Sequence, residues 1–233
     1  MITRDQLISS ALRKCGALGE TETATSAQLN AGATALNALI KAFSTDGMQL
    51  WKLETVVEPF TSFPDTTPVT VGAGVGPTIV TSKSPLKLLG AYRQLIADET
   101  KTELGIYTRA EWLNIPTATT EGAPLAVYFQ PLKTTGLLSI WPLPDATWQA
   151  DGQLLLDFHV AVTETTTGTD VLDFPDHWEQ TMIYSLAQRL APEYGVPIAE
   201  RQLLTQDSER FRKEALDFSN EEGSVFLRPS QRR

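Results

Sequence analysis

The order in which residue patterns change along the chain constrains the fold most. Apolar residues recur at helical spacing near both ends, whereas the middle carries β-branched residues punctuated by Gly and Pro. Helices therefore flank a block of strands, which predicts an α+β protein. We expect the N- and C-terminal helices to form one helical bundle with an inserted β-rich domain.

The predicted domain boundaries follow these changes of pattern. Residues 1–51 are predicted to form an N-terminal helical hairpin, and residues 175–218 to supply the C-terminal helices of the same bundle. Residues 52–174 are the inserted β-rich domain. The polar residues 219–233 lack helical periodicity and are predicted to be a flexible tail.

Two capping boxes predict where the first helices begin. Thr3 with Gln6, and Thr25 with Gln28, place a hydroxyl and an amide where they can satisfy free backbone N–H groups. Gly32 lies inside the second helix and weakens it. The predicted apolar faces are Leu7, Ile8, Ala11, Leu12 and Cys15 in the first helix, and Leu29, Ala33, Leu36, Leu39, Ile40 and Phe43 in the second.

The C-terminal helices carry comparable signals. Asp176, directly after Pro175, is predicted to cap a helix that ends near Gly195, and Pro197 is predicted to begin the last helix. The predicted apolar stripes are Trp178, Met182, Ile183, Leu186, Ala187 and Leu190, followed by Leu203, Leu204, Phe211, Ala215 and Phe218.

The middle of the chain predicts short strands and one short helix. Thr108 and Glu111 form a third capping box, which predicts a helix over Arg109–Asn114. The predicted strands are Val69–Val71, Leu86–Tyr92, Leu125–Gln130, Leu137–Trp141 and Gln153–Val162.

Composition excludes several classes of protein. The formal net charge of −9 argues against wrapping a nucleic-acid backbone, yet it is compatible with DNA sliding past an acidic wall. The single cysteine, Cys15, excludes an internal disulfide framework and a cysteine-based zinc site. No apolar run of about 20 residues and no signal peptide is present, so we expect a soluble protein made in a reducing cytoplasm, without membrane contact.

The polar residues do not form a recognisable catalytic motif. Asp157 and His159 are predicted to share one face of a strand, but no nucleophile motif accompanies them, so we interpret them as a solvated polar face. His177 is interpreted as part of a helix cap rather than as a metal ligand. The run Gly72–Pro77 lacks the Walker lysine and is interpreted as a turn between strands. We therefore predict no catalytic residue, no cofactor and no metal site.

Paired carboxylates leave one enzymatic alternative open. Glu20 with Glu22, or Asp98 with Glu103, could act on a glycosidic bond, which would make the protein a murein hydrolase. Such pairs are also common on solvated loops. Three tryptophans, Trp51, Trp141 and Trp178, are predicted to be anchors of a core or of a subunit interface.

Five segments, taken in order, resemble the head-to-tail adaptor, or tail accessory factor, family of short-tailed bacteriophages. They extend over most of the chain between about residue 7 and residue 216. The segments are LRKCGALGETET (12–23), ALNALIKAFSTDGMQLW (35–51), GAPLAVYFQP (122–131), LSIWPLPDA (138–146) and WEQTMIYSLAQRLAPEYGVP (178–197).

The resemblance implies a structural protein and not an enzyme. It implies a ring of identical subunits, typically twelve, that docks beneath the portal protein and extends the DNA channel without sequence-specific binding. The ring would sit in the neck of the virion and carry the tail nozzle or tube, fibre or spike proteins. It also implies that the C-terminal segment contacts the portal, with candidate residues Val225, Phe226, Leu227, Arg228, Arg232 and Arg233. A neck connector of a long-tailed phage is the second alternative.

Overall fold

In a computed structural model, the residues described are 2–45, 52–63, 68–97, 99–117 and 119–219. Within them the chain is mixed α+β, with six α-helices and three β-sheets. The helices are α1 (Arg4–Lys14), α2 (Ser26–Thr45), α3 (Arg109–Leu113), α4 (Ala146–Asp151), α5 (Glu179–Leu190) and α6 (Ile198–Ser219). The strands are β1 (Leu53–Pro59), β2 (Val69–Ala73), β3 (Ile79–Thr81), β4 (Pro85–Leu95), β5 (Lys101–Glu103), β6 (Gly105–Ile106), β7 (Glu121–Gly122), β8 (Ala126–Pro131), β9 (Thr135–Trp141), β10 (Leu143–Pro144) and β11 (Gly152–Val160).

The described residues divide into two compact units. The helical unit lies within Met1–Leu50 and Glu164–Arg233 and contains α1, α2, α5 and α6. The β unit lies within Trp51–Thr163 and contains the strands with α3 and α4. None of the helices in the described ranges is long and apolar enough to span a bilayer.

The predicted capping boxes begin α1 and α2. Gln6 donates its backbone N–H to the Thr3 hydroxyl at 3.4 Å, and the Thr3 N–H donates to the Gln6 side chain at 3.0 Å. The N–H of Gln28 and the hydroxyl of Thr25 are paired in the same way at 3.3 Å. Both helix starts are confirmed, because these side chains satisfy donors that have no partner inside the helix.

Gly32 has a packing role that its sequence context does not reveal. A Cβ atom built at Gly32 would overlap the side chain of Ile8, which is fully buried on α1. The glycine therefore allows α2 to approach α1 closely, which compensates for its low helix propensity.

Helix α5 supplies the centre of the helical unit and packs against α1, α2 and α6. Its predicted apolar stripe is confirmed, since each of those residues is at most 5 % exposed. Polar contacts tie α5 to α6: the hydroxyls of Ser185 and Ser208 lie 3.0 Å apart, and Thr181 donates to the Phe211 carbonyl at 3.0 Å. Buried hydroxyls need such partners, so these contacts make the helix pairing specific.

Two predictions for the C-terminal helices are wrong. Asp176 does not cap a helix, because Asp176–Trp178 is a short 3-10 helix without a side-chain cap, and α5 begins at Glu179. The predicted apolar face of α6 is only partly buried: Leu204 and Ala215 are covered, whereas Leu203 is 62 % and Phe218 is 75 % exposed. Because α6 packs mainly on α5, it buries a narrower stripe than its apolar residues suggest.

The segment before α5 also belongs to the helical unit. Asn37 on α2 donates to the Thr165 carbonyl at 3.1 Å, and its side-chain oxygen accepts from the N–H and hydroxyl of Thr165. Asp170 accepts hydrogen bonds from the Thr167 hydroxyl and from the N–H groups of Thr167 and Thr166, which together hold the pKa of this carboxyl well below its ordinary value. These bonds give the threonine-rich loop a defined conformation.

The β unit is built from two larger sheets and a pair of two-residue strands. The four-stranded sheet has the order β1-β11-β4-β5, and the five-stranded sheet has the order β3-β2-β9-β8-β6. Strands β7 and β10 pair in parallel. One hydrophobic core contains residues of both larger sheets, among them Phe158 on β11 and Phe129 on β8, whose rings meet edge to face at 5.3 Å.

Each predicted strand overlaps an observed one: β2, β4, β8, β9 and β11 lie at the five predicted positions. The helix predicted over Arg109–Asn114 is confirmed as α3, with Asn114 as its C-terminal cap. Strand β1 and helix α4 have no counterpart among the predicted elements. Asp145 caps α4 by accepting from the N–H groups of Thr147 and Trp148, a signal that is present in the sequence but short.

Candidate interaction surface

The residues predicted to contact a portal lie outside the described residues. Val225, Phe226, Leu227, Arg228, Arg232 and Arg233 all follow Ser219, where α6 ends. The last apolar residue of α6, Phe218, is exposed, and its ring centre lies 4.7 Å from that of His177. His177 is thus placed against aromatic rings rather than in the helix cap that was predicted.

One face of the four-stranded sheet in the β unit carries polar side chains next to exposed apolar ones. Alternate residues of β11, namely Leu154, Leu156 and Phe158, point into the core. The intervening residues Leu155, Asp157 and His159 therefore lie on the opposite side, which we call the outer face.

The strand register aligns small side chains into a shallow channel across the outer face. Thr55, Asp157 and Gly90 lie opposite one another on β1, β11 and β4, and we call this row the trough. Thr55 donates a 2.6 Å hydrogen bond from its hydroxyl to Asp157. A Cβ atom at Gly90 would lie 2.9 Å from the Asp157 carboxylate and 3.2 Å from the Tyr92 ring, so the glycine makes room for these two side chains.

Larger side chains border the trough on both sides. One bordering row consists of Val57, Leu155, Tyr92 and Glu103, and the other of Leu53, His159 and Lys87. The trough opens into a groove of about 480 Å³ lined by Thr55, Tyr92, Lys101, Glu103, Leu155 and Asp157.

The outer face exposes large apolar residues. Val57 is 49 % and Leu53 is 44 % exposed on β1. Two irregularities in the β4–β11 register leave Leu86 and Leu89 without a partner on β11, and both are exposed. Bulges of this kind redirect side chains, and here they add apolar surface next to the trough.

Asp157 and His159 share the outer face, as predicted, but they do not form a catalytic pair in the described part of the chain. The Asp157 carboxylate accepts from Thr55, while Nε2 of His159 is buried with no hydrogen-bond partner. The prediction of a solvated face is wrong for His159, which is only 5 % exposed. Burial, followed by repulsion from Lys87 and Lys52, lowers the pKa of this imidazole, which favours its neutral form.

The remaining candidates for chemistry are dispersed. Glu20 and Glu22 are exposed, and Glu22 accepts a 3.1 Å hydrogen bond from the N–H of Gly19. Asp98, the proposed partner of Glu103, lies outside the described residues. Among the residues that the structure describes, no group of three or more His, Cys, Asp or Glu side chains could hold a metal ion.

The structural interpretations of Cys15 as a packed residue and of the glycine-rich run as a turn are confirmed. Cys15 is buried at the end of α1, where desolvation raises the pKa of its thiol. The first two residues of the run Gly72–Pro77 end β2, and the rest form the turn that leads to β3, with Gly74 and Gly76 at positive φ. The two strands it joins are parallel, so the turn is not a hairpin.

The tryptophans divide between core and surface. Trp178 is a core residue and packs edge to face on Phe43 at 5.9 Å, whereas Trp51 lies outside the described residues. Trp141 is half-buried and donates from its indole to the Thr117 carbonyl at 2.9 Å.

The structure adds aromatic contacts that the sequence did not single out. Trp112 on α3 stacks on Tyr128, and Trp148 on α4 lies beneath the guanidinium of Arg93.

No protein-family model matches this sequence, and comparison with curated proteins gives no significant match. The assignment to the adaptor family is therefore a proposal that depends on the sequence motifs and on how the structure arranges them.

Proposed function

We propose that the protein is a structural head-to-tail adaptor of a bacteriophage, located in the neck of the virion. It forms a ring beneath the portal, extends the DNA channel and provides the platform on which tail components attach. In this proposal the N- and C-terminal helices constitute one bundle, into which the β-rich domain is inserted. The bundle builds the ring, and the inserted domain faces the nozzle, tube, fibres or spikes.

The observation that carries this proposal is the packing of two motif segments that are far apart in sequence. The described part of ALNALIKAFSTDGMQLW, residues 35–45, forms the second half of α2. The segment WEQTMIYSLAQRL contains Trp178, which directly precedes α5, and the whole of α5. These helices contact each other, and Phe43 of the first segment packs on Trp178 of the second. Motif residues that support one another in a single core are what an ordered family resemblance requires.

The charge of the chain is compatible with DNA transit. A formal net charge of −9 disfavours tight contact with phosphates, so a duplex could slide through the ring without being retained. Specific recognition of bases is not needed for this role.

The proposed portal contact is the C-terminal segment. Val225, Phe226 and Leu227 supply apolar anchors, and Arg228, Arg232 and Arg233 supply cations for acidic groups on the portal. In this proposal the segment lies along the portal surface and binds it through these two kinds of side chain.

Electron microscopy tests the proposal directly. Full-length protein mixed with purified portal rings should add a second ring on the tail-facing side of each portal. A chain truncated after Phe218 should attach more weakly, provided that its circular dichroism and melting temperature match those of the full chain. Unchanged attachment of the truncated chain would show that the tail does not dock, and absence of any ring with the full chain would refute the adaptor role.

A turbidity assay separates the adaptor from the enzymatic alternative. Purified peptidoglycan incubated with the protein should remain turbid. Clearing that is abolished by Glu20→Gln or Glu103→Gln would instead identify a murein hydrolase.

A further inference from the structure

The trough on the outer face has the size and chemistry of a peptide-binding site. We propose that it binds residues Ser224–Arg228 of a second copy of this chain. This inference concerns the same C-terminal residues as the proposed function and rests on it for its biological consequence. The binding itself, however, requires no portal.

The dimensions of the outer face decide between a folded partner and an extended one. Four strands at about 4.8 Å spacing, with β1 seven residues long, present a face of roughly 300–400 Å². A stable contact between folded proteins buries about 800 Å² on each partner, so this face alone is too small. The span from β1 to β5 is about 14 Å, which matches four to five extended residues at about 3.3 Å each.

The side chains around the trough specify what such a segment must carry. Val57, Leu155 and Tyr92 form an apolar wall on one side, and Leu53 and the bulged Leu89 supply apolar surface on the other. These walls favour an occupant with consecutive large apolar side chains.

A cation is the second requirement. The trough contains the Asp157 carboxylate, which Thr55 orients by its hydrogen bond, and Glu103 lines the same groove. Among the described residues Lys101 also lines this groove, and Lys87 lies in the bordering row on the other side of the trough. A cation of the occupant would therefore meet the two carboxylates on the Tyr92 side, away from Lys87. An arginine can lie flat on an aromatic ring such as Tyr92 while it donates to a carboxylate.

The chain contains such a segment beyond its last helix. The sequence continues for 14 residues after Ser219, to Arg233. Within this stretch Val225, Phe226 and Leu227 are consecutive large apolar residues, and Arg228 follows them directly. The 14 residues can reach roughly 50 Å when extended, which allows the segment to reach a neighbouring copy.

Binding of the segment in the trough would regulate assembly. Residues 224–228 held by a neighbouring subunit are not available to the portal, so subunits would exchange this contact for portal contact when they dock. The concentration of free subunits would therefore set how much of the segment is available.

A binding assay with a defined probe tests this inference. The probe is a fluorescein-labelled peptide with the sequence of residues 220–233, and the receptor is the full chain carrying Phe226→Ala and Arg228→Ala, so that its own segment does not compete. Fluorescence anisotropy should show saturable binding to the receptor. Thr55→Trp, which fills the trough with an indole, should weaken binding more than about tenfold.

Charge variants locate the contact within the trough. Asp157→Asn in the receptor, or Arg228→Gln in the peptide, should each weaken binding about threefold to fivefold. The two changes together should weaken it no more than either one alone, because they remove the same interaction. Glu121→Gln removes an exposed carboxylate elsewhere in the β unit and should leave the affinity unchanged.

The outcomes separate this inference from the adaptor role. Equal binding to the receptor with and without Thr55→Trp, or additive effects of Asp157→Asn and Arg228→Gln, would place the segment elsewhere and overturn the inference. If Thr55→Trp fails to fold by circular dichroism, the charge pair alone decides. Portal attachment is measured independently by microscopy, so loss of peptide binding with intact portal rings refutes only the trough.

Discussion

Thr55 on β1 donates a 2.6 Å hydrogen bond to Asp157, its direct neighbour across the ladder on β11. On the other side of Asp157 stands Gly90, which has no side chain to compete for the carboxylate. The hydroxyl therefore fixes the direction of Asp157 on the sheet surface, and the absence of a side chain at Gly90 makes room for its second oxygen. This arrangement orients the carboxylate of Asp157 in the middle of the trough.

Replacing Thr55 by Val removes this bond while keeping the shape of the side chain. We expect the free energy of unfolding, measured by urea denaturation, to fall by about 0.5–1.5 kcal/mol. Thr102→Val is the matched control, because Thr102 is an exposed threonine on β5 whose hydroxyl makes no hydrogen bond in the described part of the chain. A loss equal to that of the control would mean that the Thr55 hydroxyl contributes nothing.

The close contact between α1 and α2 predicts that Gly32→Ala lowers the free energy of unfolding, whereas helix propensity alone predicts that it raises it. Replacement of Gly by Ala in an exposed helix interior stabilises a protein by about 1 kcal/mol. Gly32→Ala should instead destabilise it by about 1–3 kcal/mol, because the new methyl group overlaps Ile8.

A double-mutant cycle tests the cause of that loss. Ile8→Ala removes the overlapping atoms, so Gly32→Ala should be tolerated in its presence and the two costs should not add. A stabilising Gly32→Ala, or strictly additive effects, would show that α1 and α2 do not approach each other at this point.

The elements that the sequence predicted correctly are those with local signals. The box of Thr3 with Gln6 and the apolar stripe of α5 depend on residues within one or two turns, so the chain itself contains the necessary information. The packing role of Gly32 could not be predicted in this way, because it depends on contact with Ile8, which lies on another helix. Exposure of Leu203 likewise depends on which neighbours α6 meets.

The trough could be predicted only in part. Placing Asp157 and His159 on one face required nothing beyond strand periodicity. The pairing of Asp157 with Thr55 and Gly90 depends on register across strands separated by about 65 to 100 residues, which no local pattern encodes. Strand β1 had no counterpart among the predicted elements. The sequence analysis therefore could not place Thr55, which lies on β1, next to Asp157.

Burial of His159 predicts a pH dependence of stability. Its folded-state pKa is lowered, so the unfolded chain binds the proton more readily. The stabilisation due to neutral His159 is therefore fully present above the unfolded pKa of about 6.5, and it declines as the pH falls towards the folded pKa. Urea denaturation at about pH 7.5 and about pH 5.5 should show a larger loss for the natural chain than for His159→Gln.

A second variant separates the two causes of that shift. Lys87→Met removes the larger of the two repulsions that lower this pKa but leaves His159 buried, so the loss of stability on acidification should become smaller without vanishing. Identical pH dependence of the natural chain, His159→Gln and Lys87→Met would show that this imidazole does not titrate differently in the folded state.

Arg93 gives a test of the core of the β unit. Its Nη1 donates to the Pro124 carbonyl at 2.7 Å, and its guanidinium lies 5.1 Å from the ring centre of Trp148, which packs edge to face on Phe60. Arg93→Lys keeps the charge but loses the planar stacking and the fixed donor, so we expect the free energy of unfolding to fall by about 1–2 kcal/mol.

Arg109→Lys on the exposed surface of α3 serves as the control and should change the free energy of unfolding by less than about 0.5 kcal/mol. If lysine at position 93 is as stable as arginine, charge alone suffices there, and the stack on Trp148 contributes no stability.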